Sequence, residues 1–325
     1  MHRLVSCLVA VVSVLAALSG APRASADPGS AILDVRSLGG RQLEVDVFSA
    51  AMNRTITLWM SHAGPGAPAL YLLNAVDGGE TGGPWPRRTD VEEFFADKPV
   101  NVVVPMGGRA SFYTDWLADD PVLGRNKWTT FLTRELPPLL DERFAMTGAN
   151  AVAGLSMSAT SALNLAIAAP GLYRAAGAYS GCARTSDPMA QLLVHSQLAV
   201  FGANAANMWG APNNPAWVAN DPVVQAERLR GVALYISAGN GLPGPYDTLG
   251  APGIGGNPGA LLDRVAVGGL METVVGGCTR PLVDRLAALG IPAALDLRAA
   301  GTHAWPYWQD DVHRSWPVFA AALGV

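Results

Sequence analysis

Lysine is nearly absent from this 325-residue chain: Lys98 and Lys127 stand alone among 22 basic side chains, and 26 acidic ones bring the formal net charge to −4. No basic run exists, which argues against a nucleic-acid partner, because phosphate backbones call for clustered cations. Charge of either sign is sparse, at 15% of residues, against ~25% in ordinary soluble domains. There is no metal-ligand spacing, no phosphate loop and no dinucleotide fingerprint, so neither metal nor cofactor is expected. Beyond the first twenty positions, no apolar run reaches the ~18 residues that would span a bilayer. What is abundant is apolar side chain, 50% of the total, with 36 Gly and 24 Pro. That composition can fill a large core and excludes wholesale disorder.

The N-terminus accounts for part of this hydrophobicity. A short basic start (Met1-His2-Arg3) leads into apolar Leu4–Gly20, then Ala24-Ser25-Ala26 before Asp27. This is the layout of a secretory signal peptide over residues 1–26, leaving one catalytic domain over 27–325. The expected product is exported, to the medium or the cell envelope, and keeps no integral membrane span. Of three cysteines, Cys7 leaves with the signal. Cys182 and Cys278 remain as an even pair in an oxidising compartment, where a disulfide is expected.

Hydrophobic patterning predicts strands at Ala31–Leu38, Arg41–Phe48, Asn53–Met60, Ala69–Leu73, Val100–Pro105, Asn150–Leu155, Ala175–Tyr179, Val232–Ser237 and Ala293–Arg298. Helices are predicted over Trp128–Leu140, Ser158–Ala168 and Pro281–Leu289. Continuous apolar strands alternating with helices imply an α/β fold whose central, mainly parallel sheet carries helices on both faces. Ligands of such sheets bind beyond the carboxyl ends of the strands. The places to look for chemistry therefore follow Leu73, Pro105, Leu155, Ser237 and Arg298. Residues of mixed character over Gly181–Pro222 would cap that edge.

The strongest chemical signal is Gly154-Leu155-Ser156-Met157-Ser158, set between an apolar strand and a helix. A serine on so sharp a turn projects its hydroxyl above the sheet, as a nucleophile does in the G-x-S-x-G elbow. Here Ser158 replaces the last glycine. A histidine base should follow in the chain, and His303 lies just past the last predicted strand. His62 precedes the serine, His195 falls in an amphipathic segment, and His313 in a stretch that reads as a solvated helix. For the orienting acid, Asp247 is favoured by its place shortly after the strand VALYIS, with Asp263 and Glu272 also in suitable order.

Several blocks occur together: Tyr71-Leu72-Leu73, PMGGRASFYTDW at 105–116, KWTTFLTRELP at 127–137, GLSMS, NMWG at 207–210, NPAWVANDP at 214–222, AGNGLP at 238–243 and GTHAWPYW at 301–308. From about residue 32 onward the chain resembles the antigen 85 mycolyltransferases, exported acyltransferases with the α/β-hydrolase fold. The resemblance implies a Ser156–Glu272–His303 triad, with Glu272 in a Leu270-Met271-Glu272 context in place of Asp247. It implies backbone oxyanion donors at Met157 and Val76, and an acceptor site lined by Trp305. Substrate-facing roles are expected for Asn74, Asp77 and Ser158 as well. The implied reaction moves a long acyl group from a trehalose ester to a sugar hydroxyl, on a glycolipid or a cell-wall polysaccharide. Members that use trehalose carry aspartate and arginine in the loop after Y-L-L, where this chain has Asn74 and Asp77. Loss of such charged hydrogen bonds costs ~1.5–3 kcal/mol each, which brings an esterase acting with water into contention. A non-catalytic adhesion protein is the third reading.

Overall fold

A computed structural model describes residues 29–325; the expected signal peptide and its cleavage junction lie outside them. Nine strands form one sheet: β1 (Ala31–Gly39), β2 (Gln42–Ser49), β3 (Arg54–Ser61), β4 (Ala69–Leu73), β5 (Asn101–Pro105), β6 (Asn150–Leu155), β7 (Tyr173–Tyr179), β8 (Ala233–Ala238) and β9 (Ala293–Leu297). Their spatial order is β1-β2-β3-β5-β4-β6-β7-β8-β9. The first three strands and the β3–β5 pair are antiparallel, and every pair from β5 to β9 is parallel. All nine expected strands are present, and their ends shift by no more than two residues.

Burial explains the patterning. Strands β4, β5 and β6 are buried at every residue, because helices cover both faces of a parallel sheet. Alternation then sorts the side chains. Tyr71, Leu73, Val103 and Val152 join one core with the Met157–Ala168 helix. Leu70, Leu72, Val102, Val104 and Ala151 join the other with Phe319 and Trp308 of the Trp305–Leu323 helix. Strand β2 meets the core on one face only, and its LEVDVF stretch alternates accordingly, with Val45 and Val47 buried.

Chain winding reverses at β4. Strand β5 pairs on one side of it, and β6 onward builds on the other. The loops after β4 and β6 therefore flank a crevice at the carboxyl edge, the usual ligand position in such sheets.

Three expectations need correction. The helix expected over Pro281–Leu289 starts twelve residues earlier, at Gly269, and runs through Pro281 to Ala288. A proline removes one backbone donor and crowds the preceding turn, but this helix is fastened elsewhere, by Glu272, Thr279 and Cys278. The stretch around His313 is helical but only partly solvated: Arg314 is exposed, Asp311 is fully buried, and the His313 ring stacks on Phe94. The helix from Trp128 also continues past Leu140 to Phe144. The segment expected to cap the edge forms three helices, Pro188–Val200, Ala205–Trp209 and Pro215–Ala219, each opened by an Asp or Asn side chain that accepts a backbone N–H.

Candidate active site

Ser156 occupies the turn between β6 and the Met157–Ala168 helix with φ 53° and ψ −121°. A non-glycine residue held there costs ~1–3 kcal/mol of backbone strain. The turn is tight enough to dictate its neighbours. A Cβ on Gly154 would meet Ser158 O at 2.3 Å, and one on Gly181 would meet Ala159 Cβ at 2.3 Å. The Ser156 N–H donates to Tyr179 O at 2.8 Å, pinning the elbow to the end of β7.

Next along the edge, the pattern repeats. Ser180, directly after β7, also has positive φ (51°), and its N–H donates to Ser237 O of β8 at 2.9 Å. The two elbows set two hydroxyls at successive positions of the sheet edge.

Three side chains from separate elements meet at the first elbow. His303 Nε2 lies 2.8 Å from Ser156 Oγ, and its Nδ1 lies 2.7 Å from Glu272 Oε2. Glu272 stands in the first turn of the Gly269–Ala288 helix and is fully buried. Its other oxygen accepts from the Gly239 N–H at 2.6 Å and the Ser180 hydroxyl at 2.7 Å. Burial pushes the Glu272 pKa up, but the hydrogen bond and charge of His303, with the Gly239 and Ser180 donors, outweigh it and hold the carboxyl below its ordinary value. The arrangement keeps an acceptor-only carboxylate against one imidazole nitrogen and leaves the other free to take a proton from Ser156.

Asp247, favoured from residue pattern alone, makes no hydrogen bond to His303. It accepts from Thr302 Oγ1 at 2.7 Å, Tyr307 OH at 2.6 Å and the Gly244 N–H at 2.8 Å. It thus fixes the chain on either side of His303 rather than the ring. Asp263 is exposed at the end of the Pro258–Asp263 helix.

Other expected site residues divide. Met157 opens its helix, so its N–H has no intrahelical acceptor and is free to face a developing anion. Val76 lies in the loop after β4, whose last residue Leu73 is in register with Gly154. That loop is held by Ala110 N–H to Val76 O at 2.7 Å and Gly107 N–H to Gly78 O at 2.9 Å. Trp305 is half-buried, edge-on to Trp85 and Trp308, with the Arg88 guanidinium 5.6 Å over its ring.

Ser158 and Asn74 depart from their expected substrate-facing roles. Ser158 is fully buried; its hydroxyl accepts from the Leu155 N–H at 3.0 Å and lies 3.1 Å from Leu73 O, tying β6 to β4 beneath the elbow. Asn74 is buried too, and its amide donates to Pro105 O at 2.9 Å. Both are spent on backbone groups. Asp77 caps its own loop by accepting from the Gly79 and Gly82 N–H groups.

Ser156 and His303 open into a cavity of about 260 Å³, walled otherwise mainly by apolar residues of the Pro188–Val200 and Gly269–Ala288 helices, among them Leu193, Val194, Leu270 and Val274. Leu270 and Met271 are 67% and 40% exposed at its rim, and Met189 and Leu192 are exposed on the facing helix. Cys182, in the cavity wall, is bonded to Cys278 with Cα atoms 4.7 Å apart. The bridge joins the segment after Ser180 to the helix that carries Glu272, and Thr279 Oγ1 adds a hydrogen bond to Gly181 O at 2.9 Å. Among the described residues no cluster of three or more His, Cys, Asp or Glu side chains could hold a metal, and no helix is long and apolar enough to cross a membrane.

Ser180 and Gly239 escaped the reading from sequence. Both directly follow parallel strands, so the carboxyl-edge rule that selected Ser156 would have reached them.

Comparison with known proteins places the fold and the family. Residues 49–317 match the Esterase family. The Ag85B diacylglycerol acyltransferase/mycolyltransferase of Mycobacterium leprae is 34% identical over 86% of this chain and 84% of its own length. Ag85B of Mycolicibacterium smegmatis is likewise 34% identical, covering 91% of this chain and 90% of its own. Among solved structures, Mycobacterium tuberculosis MPT51 superposes with a TM-score of 0.70 at 24% identity, covering 85% of this chain and 96% of that one. The serine hydrolase FphF of Staphylococcus aureus gives 0.63 at 15% identity, covering 87% and 98%. These two establish the α/β-hydrolase fold. With its relatives matched at one residue in three over most of both chains, this protein belongs to the antigen 85 mycolyltransferase family.

Proposed function

We propose that the protein is an exported serine acyltransferase that moves a long-chain acyl group, of the mycolyl class, from a trehalose ester to a sugar hydroxyl. The observation that carries this reading is the unbroken line from Ser156 Oγ through His303 to Glu272, opening into an apolar cavity. His303 Nε2 takes the proton as Ser156 Oγ attacks the ester carbonyl. Glu272 holds the Nδ1–H tautomer and stabilises the imidazolium that forms. The Met157 and Val76 N–H groups receive the oxyanion, a contribution of ~3–4 kcal/mol per donor in comparable sites. Collapse expels the trehalose alkoxide, protonated by His303, and leaves an acyl-Ser156 ester. His303 then deprotonates the acceptor hydroxyl, which takes the acyl group and restores Ser156.

The names of the relatives support acyl transfer, and the apolar rim suits a lipid chain. A second reading, ester hydrolysis, is favoured by one observation. Asn74 and Asp77 replace the family's charged trehalose contacts and are bonded into their own loop, so water competes better with a bound sugar. Incubation with trehalose monomycolate separates the two. Transfer gives trehalose dimycolate, hydrolysis gives free mycolic acid, and neither product contradicts both readings.

A further inference from the structure

Beyond β4 in the sheet order, the start of β3 and the loop after β5 enclose a separate cleft of about 330 Å³. Arg54, Thr55, Glu80, Arg109 and Trp128 line it, over the Gly107-Gly108 backbone. Pairing of these arginines with carboxylates is sparse. Among the described residues no carboxylate forms an ion pair with Arg54. Its guanidinium lies 5.7 Å over the Trp128 ring, and its polar contacts are Asn126 Oδ1 at 3.4 Å and Met52 Sδ at 3.5 Å. Arg109 Nε is buried without a hydrogen-bond partner and stands 4.0 Å from Glu80 Oε2.

One carboxylate therefore faces two guanidinium groups, both partly withdrawn from water. Burial holds the Arg54 pKa below its ordinary value, with Glu80 opposing the shift through its charge. Cations taken from water without matched anions are costly, and the deficit is relieved by a ligand that supplies negative oxygens. Guanidinium forks match tetrahedral oxyanions by paired N–H···O bonds. Thr55 adds a hydroxyl to the lining.

We propose that this cleft binds a phosphate monoester group, with Arg54 and Arg109 as its two cationic arms and Glu80 as the residue that limits affinity. The site is distinct from the Ser156 cavity, with which it shares no lining residue. Its floor is bonded to the loop after β4 through Gly107 N–H to Gly78 O. The shared chemistry is a phosphate monoester group, free or carried on a sugar.

Calorimetric titration of the intact protein at low ionic strength tests this with inorganic phosphate, glucose 6-phosphate and neutral glucose. Saturable binding of the two phosphates and none of glucose is expected. Tighter binding of glucose 6-phosphate than of inorganic phosphate would assign the group to a sugar, and equal binding would assign recognition to the phosphoryl group alone. Arg54→Gln and Arg109→Gln should each weaken binding about tenfold, and Glu80→Gln should tighten it. The last variant guards against misfolding, since the Glu80 side chain is 42% exposed and its predicted effect is a gain. No saturable phosphate binding in the wild type, or affinities unchanged across all three variants, overturns the proposal.

Discussion

The Ser180 hydroxyl donates to Glu272 Oε1 at 2.7 Å, while Glu272 Oε2 faces His303 Nδ1 at the same distance. One carboxylate is thus gripped from both sides by residues from the ends of different elements. Ser180 reaches it from a positive-φ turn, and Cys182, two residues on, is bonded into the same helix as Glu272. The carboxylate is placed by this double attachment.

Glu272→Gln should lower kcat/KM by about 10⁴, because the amide can present its N–H to the ring and favour the wrong tautomer. Asp247→Asn should cost less than about tenfold in kcat/KM while lowering stability by ~1–3 kcal/mol through its lost hydrogen bonds. Steady-state kinetics on a short-chain p-nitrophenyl ester, paired with urea unfolding, reads both.

How much of this was legible in the sequence depends on range. Strands β4 and β6 announce themselves because burial on both faces leaves continuous apolar runs, and Ser156 follows from its place between β6 and a helix. The acid did not follow. Asp247 and Glu272 both precede His303 in suitable order, and only the path of the Gly269–Ala288 helix brings Glu272 against His303. That helix does not begin at Pro281 as its pattern suggests, because the contacts that hold it through a proline come from residues nearly a hundred positions away. Ser158 shows a related limit: the motif displays a small residue, but its bond toward Leu73 O exists only once β4 lies beside β6.

Ser158→Ala should leave ester turnover within about threefold of wild type and reduce stability by ~1–2 kcal/mol, the usual result of stranding the buried Leu155 N–H. A fall of several hundredfold in kcat with unchanged stability would instead place its hydroxyl in the reaction.

Opening the Cys182–Cys278 bridge, by reduction or by Cys278→Ala, should cost about 4.7 kcal/mol, the chain-entropy value for closing a loop of this size. The kcat of the reduced protein should fall with it, since the Glu272 helix loses its tether to the Ser180 segment. Thermal unfolding and ester turnover with and without a dithiol reductant measure the two effects together.

The depressed Glu272 pKa sets an acid limit. A carboxyl with a lower pKa folded than unfolded contributes stability that is fully present above its unfolded value, near 4.5, and is lost as pH falls through the folded value. Urea midpoints taken from about pH 7 down to about pH 3 should therefore decline more steeply in wild type than in Glu272→Gln.

Covalent capture at Ser156 tests the central claim most directly. A long-chain alkyl fluorophosphonate, added in slight excess, should raise the intact mass by one phosphonyl group, and peptide mapping should place it on Ser156. Ser156→Ala should remain unlabelled, and His303→Ala should label far more slowly. Stoichiometric labelling of Ser156→Ala, or adduct mapped to any other residue, would contradict the account.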